Sequence, residues 1–197
     1  MRIISGNAGG IPIKVPKTET RPTTDRARQA LFSMLGDVVV GARVLDLFAG
    51  SGSLGLEALS RGASSVLFVD QQAAACKIIH ENLAKSRLSG AEVRQGEASR
   101  VLQSLARAGS QFDLVFADPP YAHARDDVDF TTQLLTSEDL RAVMAPGASF
   151  VFECRVTTGG NDSWSGWQIE RDREYGSTRI LWLRKRGDVE NAESDPL

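Results

Sequence analysis

The chain has few residues of the kinds that build metal centres, disulfide frameworks or membrane spans. Only two cysteines, Cys76 and Cys154, and two histidines, His80 and His123, occur in 197 residues. They match no metal-ligand spacing and no redox pair, so we interpret the cysteines as reduced thiols and predict no metal site. No apolar run approaches the ~20 residues that cross a bilayer, and the N-terminus does not resemble a signal peptide. We therefore expect a cytoplasmic protein that is not bound to membranes.

A large excess of charge of one sign is also absent, because 23 Lys and Arg residues stand against 25 Asp and Glu residues. Four of the acids lie in residues 187–197, a polar tail without bases that we predict to be disordered. Residues 1–30 hold six bases and two acids. This local excess could face an anionic partner or only solvent. The hydrophobic content of 42% is typical of an ordinary globular domain.

From residue 41 onward, short apolar runs alternate with helical patterns. The runs "ARVLDLF", "SSVLFVD", "AEVRQG", "FDLVFAD" and "GASFVFEC" are separated by stretches of helical length. This alternation predicts parallel strands with helices on both faces of one sheet. The last two runs, "GWQIERDREY" and "TRILWLRK", are separated by "GS" alone, which predicts an antiparallel hairpin at the edge of the sheet.

The region before this alternation predicts two smaller elements. Residues 1–20 contain "RIIS" and "IPIKV" around a glycine-rich turn, which favours a β-hairpin. Residues 21–36 predict a helix that Thr23 or Thr24 caps. Its buried face would consist of apolar residues at helical spacing, with Arg26 and Arg28 pointing elsewhere. We thus expect one α/β domain over residues 1–186, with a core over residues 41–186.

A glycine-rich turn follows the first strand of this core. The stretch "DLFAGSGSLG" places Gly50, Gly52 and Gly55 between a strand and a helix. In that position glycines let the backbone turn tightly and approach a ligand, and the helix start offers free N–H groups. The turn therefore predicts a nucleotide-like ligand, without specifying which one.

Three acids around this turn narrow the choice of ligand. Asp46 lies four residues before Gly50, where a carboxylate would repel phosphate but attract a cationic ligand such as S-adenosylmethionine. Asp70 ends the second strand, where an acid can accept hydrogen bonds from ribose hydroxyls, although it could be a simple turn residue. Glu97 could accept a hydrogen bond from an adenine amino group, or it could only favour the start of a helix.

The stretch "FADPPYAH" ends the fourth strand with an acid, two prolines and an aromatic residue. The Asp118 carboxylate and the Pro119 carbonyl could accept the two N–H groups of an aromatic amine and direct its lone pair toward a methyl group on sulfur. Pro120 adds rigidity, and Tyr121 could stack on the base. The competing interpretation is a turn that only terminates the strand.

Taken together, "RPTTDRARQALF", "DLFAGSGSLGLEALSRG" and "DPPY" resemble the RsmD-type 16S rRNA guanine-N2 methyltransferases of bacteria. The resemblance covers roughly residues 1–186. It implies a Rossmann-like class I methyltransferase with a seven-stranded, mostly parallel sheet, an antiparallel last strand and a small N-terminal β-hairpin. It also implies S-adenosylmethionine as cofactor and 16S rRNA, within an assembled or assembling small ribosomal subunit, as the partner of a monomeric enzyme.

Site residues follow from this resemblance and from the motifs. The amine site is predicted to comprise Asp118, Pro119, Pro120 and Tyr121. The cofactor site is predicted to comprise Asp46, Phe48, Gly50, Ser51, Gly52, Gly55, Asp70, Gln71, Glu97 and Ala98. The residues predicted to bind RNA are Arg2, Lys14, Arg21, Thr23, Arg26 and Arg28. Since Lys14 is the only base in "SGNAGGIPIK", RNA capture is expected to depend more on the arginines.

Three other functions are compatible with parts of the pattern. An adenine-N6 methyltransferase acting on RNA or DNA could use the same "DPPY" motif to bind a different aromatic amine. An NAD-dependent dehydrogenase could use the same glycine turn, although Asp46 disfavours a phosphate ligand. A non-catalytic RNA-binding or scaffold protein could retain the fold without the chemistry.

Overall fold

The computed structural model describes five stretches of the chain, residues 1–16, 25–120, 129–155, 166–176 and 178–187. Its helices are α1 (Asp25–Leu35), α2 (Ser53–Ser60), α3 (Ala73–Ser86), α4 (Ala98–Arg107), α5 (Phe130–Leu135) and α6 (Glu138–Val143), with a 3-10 turn at Gly36–Val39. Its strands are β1 (Arg43–Leu47), β2 (Ser65–Asp70), β3 (Ala91–Gln95), β4 (Phe112–Ala117), β5 (Met144–Arg155), β6 (Trp167–Tyr175) and β7 (Thr178–Lys185).

The strands form a single sheet in the order β3-β2-β1-β4-β5-β7-β6. Neighbouring strands from β3 to β5 are parallel, whereas β7 is antiparallel to both β5 and β6. Only residues 176–177 connect β6 to β7, too short a link for a parallel crossover, so the two strands form a hairpin. The predicted fold class, with a mostly parallel sheet and an antiparallel last strand, is confirmed.

Both faces of the sheet are covered by helices, which explains why its central strands β1, β2 and β4 are largely apolar. Along β4, Leu114 and Phe116 face one core layer, and Val115 and Ala117 face the other. Helices α1, α2 and α3 contribute to the first layer, and α4 and α6 to the second. Burial on both faces is the usual reason that parallel strands lack a polar side. In the described part of the chain, no helix is long and apolar enough to span a membrane.

The N-terminal segment, residues 1–16, doubles back on itself beside helix α2. The Ile3 N–H donates to the Ile11 carbonyl at 3.0 Å, and the Ile13 N–H donates to the Met1 carbonyl at 3.1 Å. Gly6 lies against α2 with φ +80°, and a Cβ there would overlap the Ser60 carbonyl. The segment can therefore dock on α2 because glycine occupies the point of closest approach.

Two short helices, α5 and α6, precede strand β5. Helix α5 is capped by Asp129, whose carboxylate accepts from the Thr132 N–H at 3.2 Å. Helix α6 is capped by Ser137, whose hydroxyl accepts from the Leu140 N–H at 3.1 Å. The second N-cap starts a new helix at Glu138, and this explains the division into two helices.

Candidate active site at the carboxyl ends of the strands

The glycine-rich turn joins β1 to α2 at the carboxyl edge of the sheet. Gly50 and Gly52 have φ values of +55° and +76°, and Phe48 also lies in the left-handed region at φ +58°. The Gly52 N–H donates to the Ala49 carbonyl at 2.7 Å, which tightens the turn. The Phe48 ring packs edge-on against Phe130 of α5, with 5.1 Å between the centroids. The turn is therefore held in a conformation that two glycines make accessible.

The glycines of the turn have different surroundings. A Cβ on Gly50 would point into open space, apart from the Phe48 carbonyl 3.9 Å away. A Cβ on Gly55 would overlap the Phe68 ring of β2. Gly50 thus leaves room for a ligand to approach the backbone, whereas Gly55 lets α2 pack closely on the sheet.

Asp46 lies behind the turn and is only 2% exposed. Its Oδ2 accepts a hydrogen bond from the Gly55 N–H at 2.9 Å, which ties β1 to the first turn of α2. Removal of the carboxylate from water raises the pKa of Asp46 to about 8, with a smaller contribution from Asp70 and an opposing one from the Gly55 hydrogen bond. Direct contact between Asp46 and a cofactor remains a prediction.

The raised pKa of Asp46 predicts how stability depends on pH. The folded protein holds this proton up to about pH 8, whereas the unfolded chain releases it near pH 3.8. Since the folded state binds more protons between these values, the contribution is fully present below pH 3.8 and is lost as pH rises through about 8. Urea unfolding of the ligand-free protein should therefore give a steeper loss of stability with rising pH in the wild type than in Asp46→Asn.

Asp113 provides the matched control for this measurement. Its hydrogen bonds to Arg43 lower its pKa, so its contribution is lost as pH falls rather than as pH rises. Asp113→Asn should retain the wild-type decline toward pH 8. An Asp46→Asn profile parallel to that of the wild type would contradict the burial effect.

Asp70 holds the turn from the end of the neighbouring strand. Its Oδ2 accepts from the Gly50 N–H at 2.8 Å, and its Oδ1 accepts from the Gln72 N–H at 2.8 Å. The carboxylate is half-buried, and each oxygen can accept another hydrogen bond. Gln71 beside it is exposed, and its carbonyl accepts from the Gln95 amide at 3.3 Å. Asp70 can therefore order the turn and still accept from a ribose hydroxyl, which remains a prediction.

Glu97 follows β3 and precedes the first residue of α4, Ala98. Its carboxylate accepts from the Ser99 hydroxyl and lies 3.4 Å from the Arg100 guanidinium. The side chain is 45% exposed, so it is accessible from the sheet edge. Because β3, β2 and β1 are consecutive neighbours, Glu97 stands about 10 Å along that edge from the glycine turn. The carboxyl edge thus carries two accessible acids, suited to a nucleoside lying across the strand ends.

Asp118 lies beside the glycine turn because β4 is the other neighbour of β1. The register pairs Leu47 with Ala117, so the next residues along the two chains are Phe48 and Asp118. Asp118 is half-buried, Pro119 is buried and Pro120 is exposed. Tyr121 lies outside the described residues. Asp118 therefore stands one strand spacing, ~4.8 Å, from the start of the glycine turn, and the prolines follow it directly in the chain.

Of the residues predicted to bind RNA, three are accessible and one is not. Arg2 and Lys14 have side chains 68% and 66% exposed, and Lys14 pairs with Glu81 at 2.6 Å. Arg26 is exposed as well. Arg21 and Thr23 lie outside the described residues, as does Thr24, the other candidate cap of α1.

Arg28 is fully buried, so the expectation that it points away from the buried face of α1 is wrong, and its burial disfavours the predicted contact with RNA. Its guanidinium lies 3.0 Å from an Asp25 oxygen and 4.0 Å from a Glu57 oxygen, and it donates to the Arg2 carbonyl. Burial lowers the pKa of Arg28, and both acids oppose that shift. The physical reason is the helical spacing, which places Arg28 on the same face of α1 as Leu31 and Leu35. In the described structure the guanidinium is therefore directed toward protein groups rather than toward solvent.

Sequence patterns did not single out two further buried polar residues near the turn. Glu57 is fully buried, and its carboxylate accepts from the N–H groups of Ile4 and Ser5 at 2.7 and 3.1 Å. Asn82 of α3 is 1% exposed and contacts the glycine turn. A lone acid in the otherwise apolar "SLGLEALS" was the available signal for Glu57, whereas no comparable signal marks Asn82.

Comparison with known proteins shows the same architecture over nearly the whole chain. A solved structure of the Escherichia coli protein YhhF superimposes with a TM-score of 0.78 at 34% identity, covering 94% of this chain and 97% of that one. The Bacillus subtilis protein YlbH is 36% identical over 95% of this chain and 100% of its own length. The Ribosomal RNA small subunit methyltransferase D of Escherichia coli K12 is 37% identical over 97% of this chain and 93% of its own.

The sheet order, the antiparallel β7 and the glycine turn flanked by acids define a class I S-adenosylmethionine-dependent methyltransferase. A family model described as Conserved hypothetical protein 95 matches residues 1–184. The chain belongs to this family, that of the RsmD-type methyltransferases. It is therefore an enzyme that transfers methyl groups, and the dehydrogenase and scaffold alternatives fail.

Proposed function

We propose that the enzyme methylates the exocyclic N2 amine of a guanine in 16S rRNA, within an assembled or assembling small ribosomal subunit. The observation that carries this proposal is the register between β1 and β4, which sets Asp118 beside the glycine turn. A methyl acceptor held at Asp118 would then adjoin a cofactor held at Gly50. The name of the Escherichia coli relative, a small-subunit rRNA methyltransferase, supports rRNA as the substrate class.

The chemistry at Asp118 follows from the electronic structure of the guanine amine. Its nitrogen lone pair is delocalised into the ring, so the amine is a poor nucleophile unless it is oriented. In our proposal the Asp118 carboxylate and the Pro119 carbonyl accept hydrogen bonds from the two N–H groups of the amine. This orients the nitrogen lone pair toward the methyl carbon of the cofactor. S-adenosylmethionine supplies an electrophilic methyl group on a sulfonium. The new N–C bond would form as the C–S bond breaks and S-adenosylhomocysteine leaves. The fixed Asp118 carboxylate would stabilise the positive charge that develops on the nitrogen, which then loses one N–H proton to water.

The residues around Asp118 are suited to this role. Pro119 is buried and Pro120 has its φ fixed by the ring, so the backbone carbonyl has little freedom to turn away. The base must leave its stack to reach the edge of the sheet, which costs a few kcal/mol in a typical duplex. In the proposal Tyr121 offsets part of that cost by stacking on the base.

Capture of the RNA is assigned to exposed bases near the N-terminus. Arg2, Lys14 and Arg26 are accessible, and Arg21 and Thr23 remain predictions for the same surface. So few cations predict modest affinity for naked RNA with a shallow salt dependence. The proposal therefore places much of the recognition in the folded subunit, with a monomeric enzyme acting in the cytoplasm, where bacterial ribosomes assemble.

Methyl transfer to defined substrates tests the proposal. Labelled S-adenosylmethionine is incubated with the enzyme and either naked 16S rRNA or small subunits from cells that lack the enzyme. The RNA is then digested to nucleosides, and the methylated nucleosides are separated and identified by mass spectrometry. We expect N2-methylguanosine, formed faster in subunits than in naked RNA. Subunits from cells that contain the enzyme should incorporate little label because the site is already modified. N6-methyladenosine as the product would instead establish the adenine alternative.

A further inference from the structure

Asn82 connects the glycine turn to the N-terminal segment. Its Nδ2 donates to the Ser51 carbonyl at 2.9 Å and to the Lys14 carbonyl at 3.0 Å. Its Oδ1 accepts from the Lys14 N–H at 2.8 Å. One side chain from α3 therefore joins two parts of the chain that are otherwise separated by more than 30 residues.

The bridge has a defined orientation, and its end at Asn82 and Ser51 is buried, whereas Lys14 lies at the surface. Asn82 is 1% exposed and Ser51 is 7% exposed. Both amide hydrogens of Asn82 meet carbonyl oxygens, and its oxygen meets an N–H. Turning the amide over would set its oxygen against two carbonyls and its NH₂ group against the Lys14 N–H. Only one orientation therefore satisfies the buried groups, and losing it would leave the Ser51 carbonyl without this donor.

Helix α3 also supports the glycine turn at Gly52, the residue after Ser51. Ile79 lies one helical turn before Asn82, and a Cβ on Gly52 would come within 3.2 Å of its side chain. Ile79 thus limits the space behind Gly52 while Asn82 holds the carbonyl of Ser51. Any movement of α3 or of residue 14 would be transmitted to the segment that the cofactor approaches.

We propose that Asn82 is a positioning residue that couples the N-terminal segment to the cofactor site. The geometry of the glycine turn, and with it cofactor affinity, then depends on the segment around Lys14 being docked. The coupling is reciprocal, because a ligand that orders the turn must also favour the docked segment. A substrate that contacts the N-terminal segment would thereby raise cofactor affinity. Only this last consequence rests on the proposed RNA function.

Binding of S-adenosylhomocysteine to the full chain tests the coupling without RNA. Asn82→Asp keeps the shape and the acceptor but turns the donor into a carboxylate oxygen facing two carbonyls. We expect calorimetry to show a Kd at least about 10-fold higher than in the wild type, as for losing one or two buried hydrogen bonds. Asn82→Ser, which is smaller and adds no charge, should show a loss in the same direction.

Glu81→Gln is the matched control, because it removes the neighbouring ion pair between α3 and Lys14 but leaves Asn82 intact. Because this exposed ion pair contributes little to docking of the segment, its Kd should stay within about twofold of the wild-type value. The Asn82 variants should raise the KM for S-adenosylmethionine by a larger factor than they lower kcat, which identifies cofactor binding as the main defect. A lower Tm in the Asn82 variants without a change in Kd would indicate a purely structural role and overturn the proposal.

Amide hydrogen exchange in the wild-type protein is a second test of the coupling. It requires no variant, so it does not depend on whether the variants fold. Addition of S-adenosylhomocysteine should slow amide exchange in the peptide covering residues 48–56 and also in residues 1–16. Protection of the turn without protection of the N-terminal segment would refute the coupling. Failure to methylate rRNA would leave this result unaffected, since no RNA is present.

Discussion

Asp118→Ala is expected to lower kcat by about 100- to 1,000-fold, the cost of removing one preorganised group that stabilises transition-state charge. The half-buried carboxylate beside the glycine turn is proposed to accept an N–H of the amine and to stabilise the charge that forms on it. Asp118→Asn should be nearly as impaired, because its uncharged amide cannot provide the same stabilisation. The measurement is single-turnover methyl transfer to small subunits, with saturating cofactor and subunits.

Asp113 offers a control on the same strand. It lies at the amino end of β4, where it pairs with Arg43 at 2.9 Å, far from the carboxyl edge. Asp113→Asn should retain wild-type kcat. S-adenosylhomocysteine should bind the Asp118 variants as it binds the wild type, which separates a chemical defect from a folding defect. Wild-type kcat in Asp118→Ala would remove Asp118 from the mechanism.

Glu57→Ala is expected to cause the largest loss of stability, about 3–5 kcal/mol in the free energy of unfolding. Glu57 is fully buried, accepts two N–H groups of the N-terminal segment and pairs with Arg61 at 2.7 Å. Its removal would also leave the buried Arg28 guanidinium without one of its two nearby acids. Arg28 already has a buried Nε and Nη1 without a hydrogen-bond partner in the described structure.

Urea denaturation followed by circular dichroism measures this loss. Glu81→Ala is the control, since it also removes a glutamate paired with a base, but at an exposed position. It should leave the urea midpoint nearly unchanged because exposed ion pairs contribute little. Glu57→Gln should fall between the wild type and Glu57→Ala, because it keeps an acceptor for the backbone but lacks the charge. Equal midpoints for the Glu57 and Glu81 alanine variants would contradict the stabilising role of the buried Glu57 carboxylate.

Much of the fold could be predicted because its signals are local. A parallel strand buried on both faces must be apolar along its length, and "VLDLF" and "FDLVFAD" have that pattern. The glycine turn was recognisable because a strand, closely spaced glycines and a helix follow each other directly. Two residues between the last strands leave only a hairpin as the connection. Each of these features depends on neighbours in the chain, which a sequence displays.

Other features depend on contacts between residues that are distant in the chain, and local sequence patterns do not indicate such contacts. Arg28 was predicted to bind RNA as one of the bases concentrated in residues 1–30, yet Glu57 and Asp25 make its burial possible. Asn82 carries no motif, and its importance arises only where α3 meets the glycine turn and residue 14.

The sequence by itself determined the class of fold, the position of the glycine turn and the acid–proline pair at the end of the fourth strand. Only the tertiary structure decided that the N-terminal segment is fastened to α2 by Glu57 and to the turn by Asn82. The physical reason is that a buried polar group is stable only with its partners in place. Those partners, more than 30 residues away in the chain, become neighbours only after the sheet and its helices have assembled.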